Sequence, residues 1–311
     1  MIKLLLPLLF LLPGAAYAAG PAYKLETIAL ETLGDIPGYA SGVPAAPLAP
    51  SPSRADEKYF NAYVLKAIDY LYGKYGQLGY DINSILTHDI EYYTFGTLKA
   101  RHAPLTMCVA AQMEIILTAY EIYAKETGDY SVYTYLPKRS FEGLAVTDLK
   151  GHIWVNSAFN ANGTADALIN FGMGERRLFE NLAPGDFVNI NRTTRTGHAV
   201  TFLGYINSTG KLQPQYNSTV VGFKYFSSQG GAAAGAGGLD YRYAVFSQFG
   251  CPEMPYKRDC NVIYSTDQRM LNTGAMLSPG AWTGIMPQAS AETAGETALN
   301  RSFFSGITTD D

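Results

Sequence analysis

The sequence is poor in cysteine, in histidine and in long apolar runs, and each shortage excludes a class of protein. Three cysteines are too few for a disulfide-rich scaffold. There are four histidines, and no two of His88, His102, His152 and Cys108 have the close spacing that would predict a zinc site. After the first residues, no stretch approaches the roughly 20 apolar residues that a membrane-spanning helix requires. We therefore predict no metal, no cofactor and no transmembrane segment.

Positive charge is also scarce, and it is scattered along the chain. The full sequence has 23 basic and 27 acidic residues, and removal of Lys3 with a leader would leave 22 − 27 = −5. Because a nucleic-acid-binding surface needs clustered Lys and Arg, this balance argues against a nucleic-acid partner. The hydrophobic content of 47% instead predicts one sizeable folded domain.

The beginning of the chain has the pattern of a secretory signal. Lys3 supplies a charged start, 4–12 form the apolar segment, and Ala16-Tyr17-Ala18 is an A-x-A cleavage site. We therefore predict a signal peptide at 1–18 and a protein exported to the periplasm or secreted. A Pro/Ala/Ser-rich linker is expected at 19–55, a single domain at 56–287 and a flexible acidic tail at 288–311.

The three cysteines divide into a pair and a single residue. Cys251 and Cys260 are nine positions apart in a turn-rich stretch, which predicts a disulfide in an oxidising compartment. Cys108 is then the odd thiol. It is either an inert core cysteine or a reactive one, and an exported protein that keeps one unpaired cysteine favours the reactive interpretation.

Cys108 opens a stretch that is apolar nearly all round, which is typical of a central buried helix. Pro104 suits the first turn of that helix, and Thr106 is an alternative cap. Either start puts the thiol within about the first turn. The unpaired backbone N–H groups there favour a thiolate and can stabilise a developing oxyanion.

A histidine follows on a predicted strand. The turn Pro184-Gly185-Asp186 precedes strands at 187–191 and 197–206, and the second strand carries His198. The next strand is expected at 219–229. If Ile206 lies opposite Thr219, Ser227 lies opposite His198 and Gln229 lies nearby, so either could orient the imidazole. A thiol and an imidazole are what a cysteine nucleophile and its base require.

Four motifs together resemble the papain-like cell-wall hydrolases, specifically the NlpC-type and CHAP-type cysteine peptidases or amidases. They are Met107-Cys108 opening a helix, Pro184-Gly185-Asp186-Phe187-Val188, Gly197-His198-Ala199-Val200 and Phe226-Ser227-Ser228-Gln229. The resemblance covers about residues 100 to 230. The common Asp-Cys-Ser-Gly motif of that family is absent, and no His, Asn or Asp ends the third strand.

This resemblance implies an α+β, papain-like fold in which an antiparallel sheet packs against the helix that carries the cysteine. It also implies hydrolysis of amide bonds in peptidoglycan stem peptides. Cys108 would be the nucleophile and His198 the general base, with Ser227 or Gln229 as the orienting group. Tyr92 or Tyr93 could border the oxyanion site. Two alternatives remain open: an inactive papain-like binding or structural protein of the cell envelope, and a Cys-His acyltransferase.

Overall fold

The computed structural model describes residues 58–135, 163–170, 172–192 and 197–283. The predicted signal peptide, linker and acidic tail lie outside the described residues. All described residues fall within the single domain expected at 56–287.

Four helices are described: α1 (Asn61–Tyr75), α2 (Cys108–Thr127), α3 (Val132–Tyr135) and α4 (Thr164–Asn170). In α1, the apolar residues recur at three- and four-residue spacing and bury one face of the helix. α2 is buried along most of its length, as its apolar pattern predicts, and it ends at Gly128 with φ 76°. α1 continues through Gly73 and stops at Gly76.

The described strands comprise a short pair and one large sheet. The pair is β1 (Ile90–Glu91) with β2 (Thr97–Leu98). The sheet contains β3 (Gly174–Arg176), β4 (Phe187–Asn191), β5 (Gly197–Ile206), β6 (Leu212–Gln213), β7 (Gly222–Gly230), β8 (Gly237–Phe246), β9 (Arg258–Ile263) and β10 (Leu271–Met276). Its order is β3-β10-β4-β5-β7-β8-β9, and β6 pairs with β5. Neighbouring strands are antiparallel except for β8 and β9.

Each face of this sheet is covered by a separate apolar cluster. Because successive strand residues point to opposite faces, Ala199 packs in the cluster that contains α1 and α2, whereas Val200 packs in the other. On β7, Phe226 belongs to the helix-side cluster and Tyr225 to the second one. The fold is therefore of α+β type, with a sheet-rich core beside a central helix.

The register between β5 and β7 differs from the predicted one. Ile206 pairs with Gly222 rather than with Thr219, and an irregularity follows between Phe202 and Gly204. The reason is local: the side chain of Asn217 accepts the Thr219 N–H at 2.9 Å, which keeps these residues in a turn. β7 therefore begins three residues later than expected.

The Pro-Gly-Asp turn fastens α1 to the sheet. Asp186 is buried, and its carboxylate accepts the Ala183 N–H at 2.8 Å, the Asn61 amide at 2.7 Å and the Arg177 guanidinium at 2.8 Å. Burial nevertheless raises the pKa of this carboxyl, and the charge of Arg177 is the largest effect opposing that rise. This motif thus has a structural role near the start of α1, because the carboxylate of Asp186 accepts hydrogen bonds from these three donors.

Candidate functional site

Cys108 is the first residue of α2, and its sulfur lies against the main chain of β5. The helix cap is Met107, whose sulfur accepts the Ala110 N–H at 3.2 Å. Thr106, one of the two expected starts, instead uses its carbonyl to accept the Ser228 hydroxyl at 2.9 Å. The Cys108 side chain is fully buried, and the Ala199 N–H donates to its Sγ at 3.2 Å. The thiol therefore touches the peptide unit that follows His198.

One helical turn further along, α2 makes a second polar contact with the same strand. The Thr201 hydroxyl donates to Gln112 Oε1 at 2.6 Å, and both residues are buried. Cys108 and Gln112 are four residues apart on the helix, while Ala199 and Thr201 are two apart on the strand. The two contacts, Cys108 with Ala199 and Gln112 with Thr201, therefore lie side by side. Together they fix the position of the N-terminus of α2 along β5.

The ring of His198 packs on the other face of β5. It meets Tyr225 edge-on, with the ring centroids 5.7 Å apart, and Tyr225 belongs to the second apolar cluster. The side chain is only 2% exposed, and Nε2 is buried without a hydrogen-bond partner. The structure thus brings the sulfur of Cys108 to the main chain beside His198, but it does not pack the imidazole in the same layer as the sulfur.

Burial dominates the protonation of this imidazole. It lowers the pKa of His198 to about 3, and the positive charges of Arg192 and Arg242 lower it further. The charge of Asp259 and a hydrogen bond to the Gln229 side chain act in the opposite direction. At neutral pH the ring is therefore uncharged, so a preformed thiolate–imidazolium pair is not the resting state of these two residues.

Of the two predicted orienting residues, only Gln229 affects the pKa of the imidazole, which it raises. Continuing the β5–β7 register from the pair Thr201 and Phe226 puts Gln229 opposite His198. Ser227, expected at that position, is buried and donates its hydroxyl to the Ala199 carbonyl at 2.6 Å. Ser227 therefore joins the two strands instead of orienting the ring.

Two residues that sequence patterns did not assign to the site complete the surroundings of Gln229. The Tyr225 hydroxyl lies within hydrogen-bond distance of two acceptors, Gln229 Oε1 at 2.7 Å and the carboxylate of Asp259. The Gln229 amide NH₂ donates to the carboxylate of Asp259 at 3.1 and 3.3 Å. Asp259 lies on β9, thirty residues from Gln229, beside Cys260 of the disulfide. The sequence signal for Asp259 is its position next to a cysteine that is predicted to form a disulfide.

The described residues also bear on the predicted disulfide, metal and membrane features. Cys251 and Cys260 form the predicted disulfide, with Cα atoms 5.4 Å apart. No group of three or more His, Cys, Asp or Glu side chains in the described part of the chain could hold a metal ion. None of the helices described is long and apolar enough to cross a membrane.

Known proteins give no further assignment. Comparison of the chain with family models, with curated proteins and with solved structures found no match.

Proposed function

We propose that this protein is an exported, papain-like cysteine hydrolase that cleaves an amide bond in peptidoglycan stem peptides. The observation that carries the proposal is the contact between Cys108 Sγ and the N–H of Ala199. It brings a thiol in the first turn of a 20-residue helix to the residue next to a histidine. A helix N-terminus and a donated N–H both stabilise negative charge on sulfur.

In the proposed reaction, the imidazole of His198 takes the proton of the Cys108 thiol while the sulfur attacks the substrate carbonyl carbon. The amine then leaves with that proton, and a thioester forms. Water, deprotonated by the same imidazole, adds to the thioester, and the collapse of the adduct releases the acid and restores the thiol. Because the ring is neutral at neutral pH, it enters the cycle in the form that accepts a proton.

The cycle also requires a movement. A ring whose pKa is about 3 is a weak base, so proton transfer from a thiol to it in the resting position is uphill. Burial is the first cause of the low pKa. Because the ring and the sulfur lie on opposite faces of β5, the movement must rearrange the main chain at His198, and the relief of burial would strengthen the ring as a base.

The test is digestion of purified peptidoglycan by the mature protein, by Cys108→Ala and by His198→Gln, with mass spectrometry of the released fragments. We expect one defined amide cleavage by the wild type and its loss in both variants. Circular dichroism and thermal unfolding check that each variant is folded. Equal cleavage by the wild type and by folded Cys108→Ala would exclude the thiol mechanism.

A second candidate function is a binding or structural protein of the cell envelope. It is favoured by the complete burial of Cys108 and by the position of the His198 ring against Tyr225 on the other face of the sheet. Alkylation of the native protein with iodoacetamide at neutral pH separates the two candidates. A thiol that reacts faster than in the unfolded chain supports the hydrolase, and one that reacts only after unfolding supports the binding protein.

A further inference from the structure

We propose that Gln112, Thr164 and Asn189 form a subsite that binds a peptide group of the substrate beside Cys108. These three side chains come from α2, α4 and β4, and together we call them the amide cluster. The subsite rests on the proposed function for the source of the peptide, but binding of a peptide group can be measured without any hydrolysis.

The amide cluster lies on the same face of the sheet as the sulfur of Cys108. On β4, Val188 and Ile190 pack in the second apolar cluster, so Asn189 between them points to the helices. Asn189 pairs with Ala199, whose N–H contacts Cys108 Sγ. The Cβ atoms of directly paired strand residues are about 5 Å apart. Asn189 therefore stands beside the residue that the sulfur contacts.

Thr164 faces this region from α4. Along that helix, Thr164, Ala167 and Leu168 are three and four residues apart, so they share one face. Ala167 and Leu168 pack in the apolar cluster that contains α2. Gly163 passes so close to the strand that a Cβ added there would lie 2.3 Å from the Asn189 Cβ. The start of α4 is thus held directly against Asn189, and Thr164 lies on the face that meets α2.

Two members of the amide cluster are buried with hydrogen-bonding capacity left over. Gln112 and Thr164 are both 0% exposed. The Thr201 hydroxyl bonds Gln112 Oε1 at 2.6 Å, but no described residue pairs with Nε2. Thr164 Oγ1 also lacks a hydrogen-bond partner in the described part of the chain. Because leaving a buried polar group unpaired costs stability, two such groups near one cysteine indicate groups kept for a ligand.

The orientation of the Gln112 amide does not change this conclusion. A hydroxyl can donate or accept, so either end of the amide can face Thr201, and the other end then stays unpaired. The ligand must therefore offer an acceptor to an NH₂ group or a donor to a carbonyl oxygen. A peptide group offers both on adjacent atoms. It is also uncharged, which suits burial against amide and hydroxyl side chains.

The position of Gln112 connects this binding to the thiol. Cys108 and Gln112 are four residues apart on α2, so their side chains are neighbours on one face of the helix. Both side chains are fully buried, and a movement that exposes the thiol to a substrate reaches Gln112 as well. A peptide group held by the amide cluster is therefore held next to the sulfur.

The experiment is ¹⁵N NMR of the mature protein labelled at glutamine, titrated with N-acetylalanine methylamide, which carries two peptide groups. The control ligand is its double ester, methyl 2-acetoxypropanoate, in which oxygen replaces both N–H groups. Gln213 on β6 is the internal control, and Gln112→Met and Gln213→Met assign the two side-chain NH₂ signals. We expect a saturable shift at Gln112, none at Gln213, and at least about 10-fold weaker binding of the ester.

Two variants sharpen this result. Thr164→Val removes the unpaired hydroxyl with little change in shape, and we expect it to weaken diamide binding about 3- to 10-fold. Gln112→Met with Thr201→Val replaces both bonded partners by apolar side chains of similar size. This double variant should lose diamide binding and unfold at the same or a higher urea concentration than the wild type. It also replaces Gln112→Met if that single variant does not fold.

The proposal is overturned if Gln112 shows no saturable shift, in which case its unpaired end holds only water. It is also overturned if the ester binds as well as the diamide, or if the double variant unfolds at a much lower urea concentration. Digestion of peptidoglycan by the wild type is measured separately. Diamide binding without digestion would leave the subsite standing and reject the proposed function, whereas digestion without a shift at Gln112 would reject the subsite alone.

Discussion

His88 and His198 both lie near carboxylates, but they are arranged in different ways. His88 approaches its partner directly: Nδ1 lies 2.9 Å from Glu114 Oε1, and the side chain of His88 is 26% exposed. His198 is enclosed, and its ring meets Tyr225, whose hydroxyl bonds Asp259. The first pair has the closer geometry of a histidine and its orienting carboxylate.

The surroundings of Glu114 show what the direct pair does. Its carboxylate is completely buried in α2 and accepts the Thr87 N–H at 3.1 Å to each oxygen, as well as the Thr87 hydroxyl. The ring of His88 stacks on Tyr75 of α1, with the ring centroids 4.4 Å apart and the planes at 10°. This pair therefore joins residues 87 and 88 to both long helices, which is a structural role.

The comparison teaches that a short histidine–carboxylate distance does not identify a catalytic base. Next to His198, the following peptide N–H contacts a thiol at a helix N-terminus. Next to His88, the N–H and the hydroxyl of Thr87 both donate to the carboxylate of Glu114. The neighbouring thiol, rather than the carboxylate, is what distinguishes the two histidines.

The largest expected loss of stability comes from breaking the pair of His88 and Glu114. Glu114→Leu leaves the Thr87 N–H, the Thr87 hydroxyl and His88 without their buried acceptor. We expect the free energy of unfolding to fall by roughly 3 to 5 kcal/mol, measured by urea denaturation.

The matched control for that variant lies on the same helix. Glu121 forms an exposed pair with Lys125 at 2.5 Å, one turn apart, so Glu121→Gln should cost less than about 0.5 kcal/mol. Equal losses in the two variants would contradict a structural role for the buried pair.

A smaller effect is expected from the enclosed histidine as the pH is lowered. The unfolded chain binds a proton at His198 below about pH 6.5, whereas the folded protein resists protonation down to about pH 3. The contribution to stability is therefore complete above pH 6.5 and decreases as the pH falls through this window. Between pH 7 and pH 5 the loss should be on the order of 2 kcal/mol.

Urea denaturation of the wild type and of His198→Gln at both pH values isolates this contribution. The glutamine variant lacks the titrating ring, so its stability should fall less between pH 7 and pH 5. The same pH dependence in both proteins would mean that the imidazole is not held neutral by burial.

Much of the fold follows from the sequence where the patterns are strong. The strands at 187–191 and 197–206 have the predicted bounds, because alternating apolar residues and a Pro-Gly-Asp turn define them locally. The pairing of β5 with β7 could not be predicted in the same way. The Asn217 side chain accepts a hydrogen bond from the Thr219 N–H, and the turn that this bond holds delays the start of β7.

The site is less predictable than the fold for a geometric reason. The sequence identifies Cys108 at a helix start and His198 on a strand. The direction of the His198 side chain depends on which face of that strand packs on α2, and this is the face of Ala199. Asp259 reaches the site only through the pairing of β8 with β9, a contact between segments far from His198 in sequence. Residue types alone do not encode that parallel pairing.

The smallest expected loss of stability concerns Tyr75, whose ring stacks on His88. Burial is the main cause that raises the pKa of Tyr75 to about 12, with Tyr70, Glu114 and Glu121 adding to it, so the phenol stays neutral beside His88. Tyr75→Leu keeps an apolar side chain but removes the stacked ring, and we expect a loss of about 1 kcal/mol in urea denaturation. Tyr70→Leu, on the same helix, removes a ring that contacts Lys74 instead of His88 and should cost less. A larger loss for Tyr70→Leu would mean that the stack on His88 adds nothing to the attachment of residues 87 and 88, and that Glu114 alone holds them.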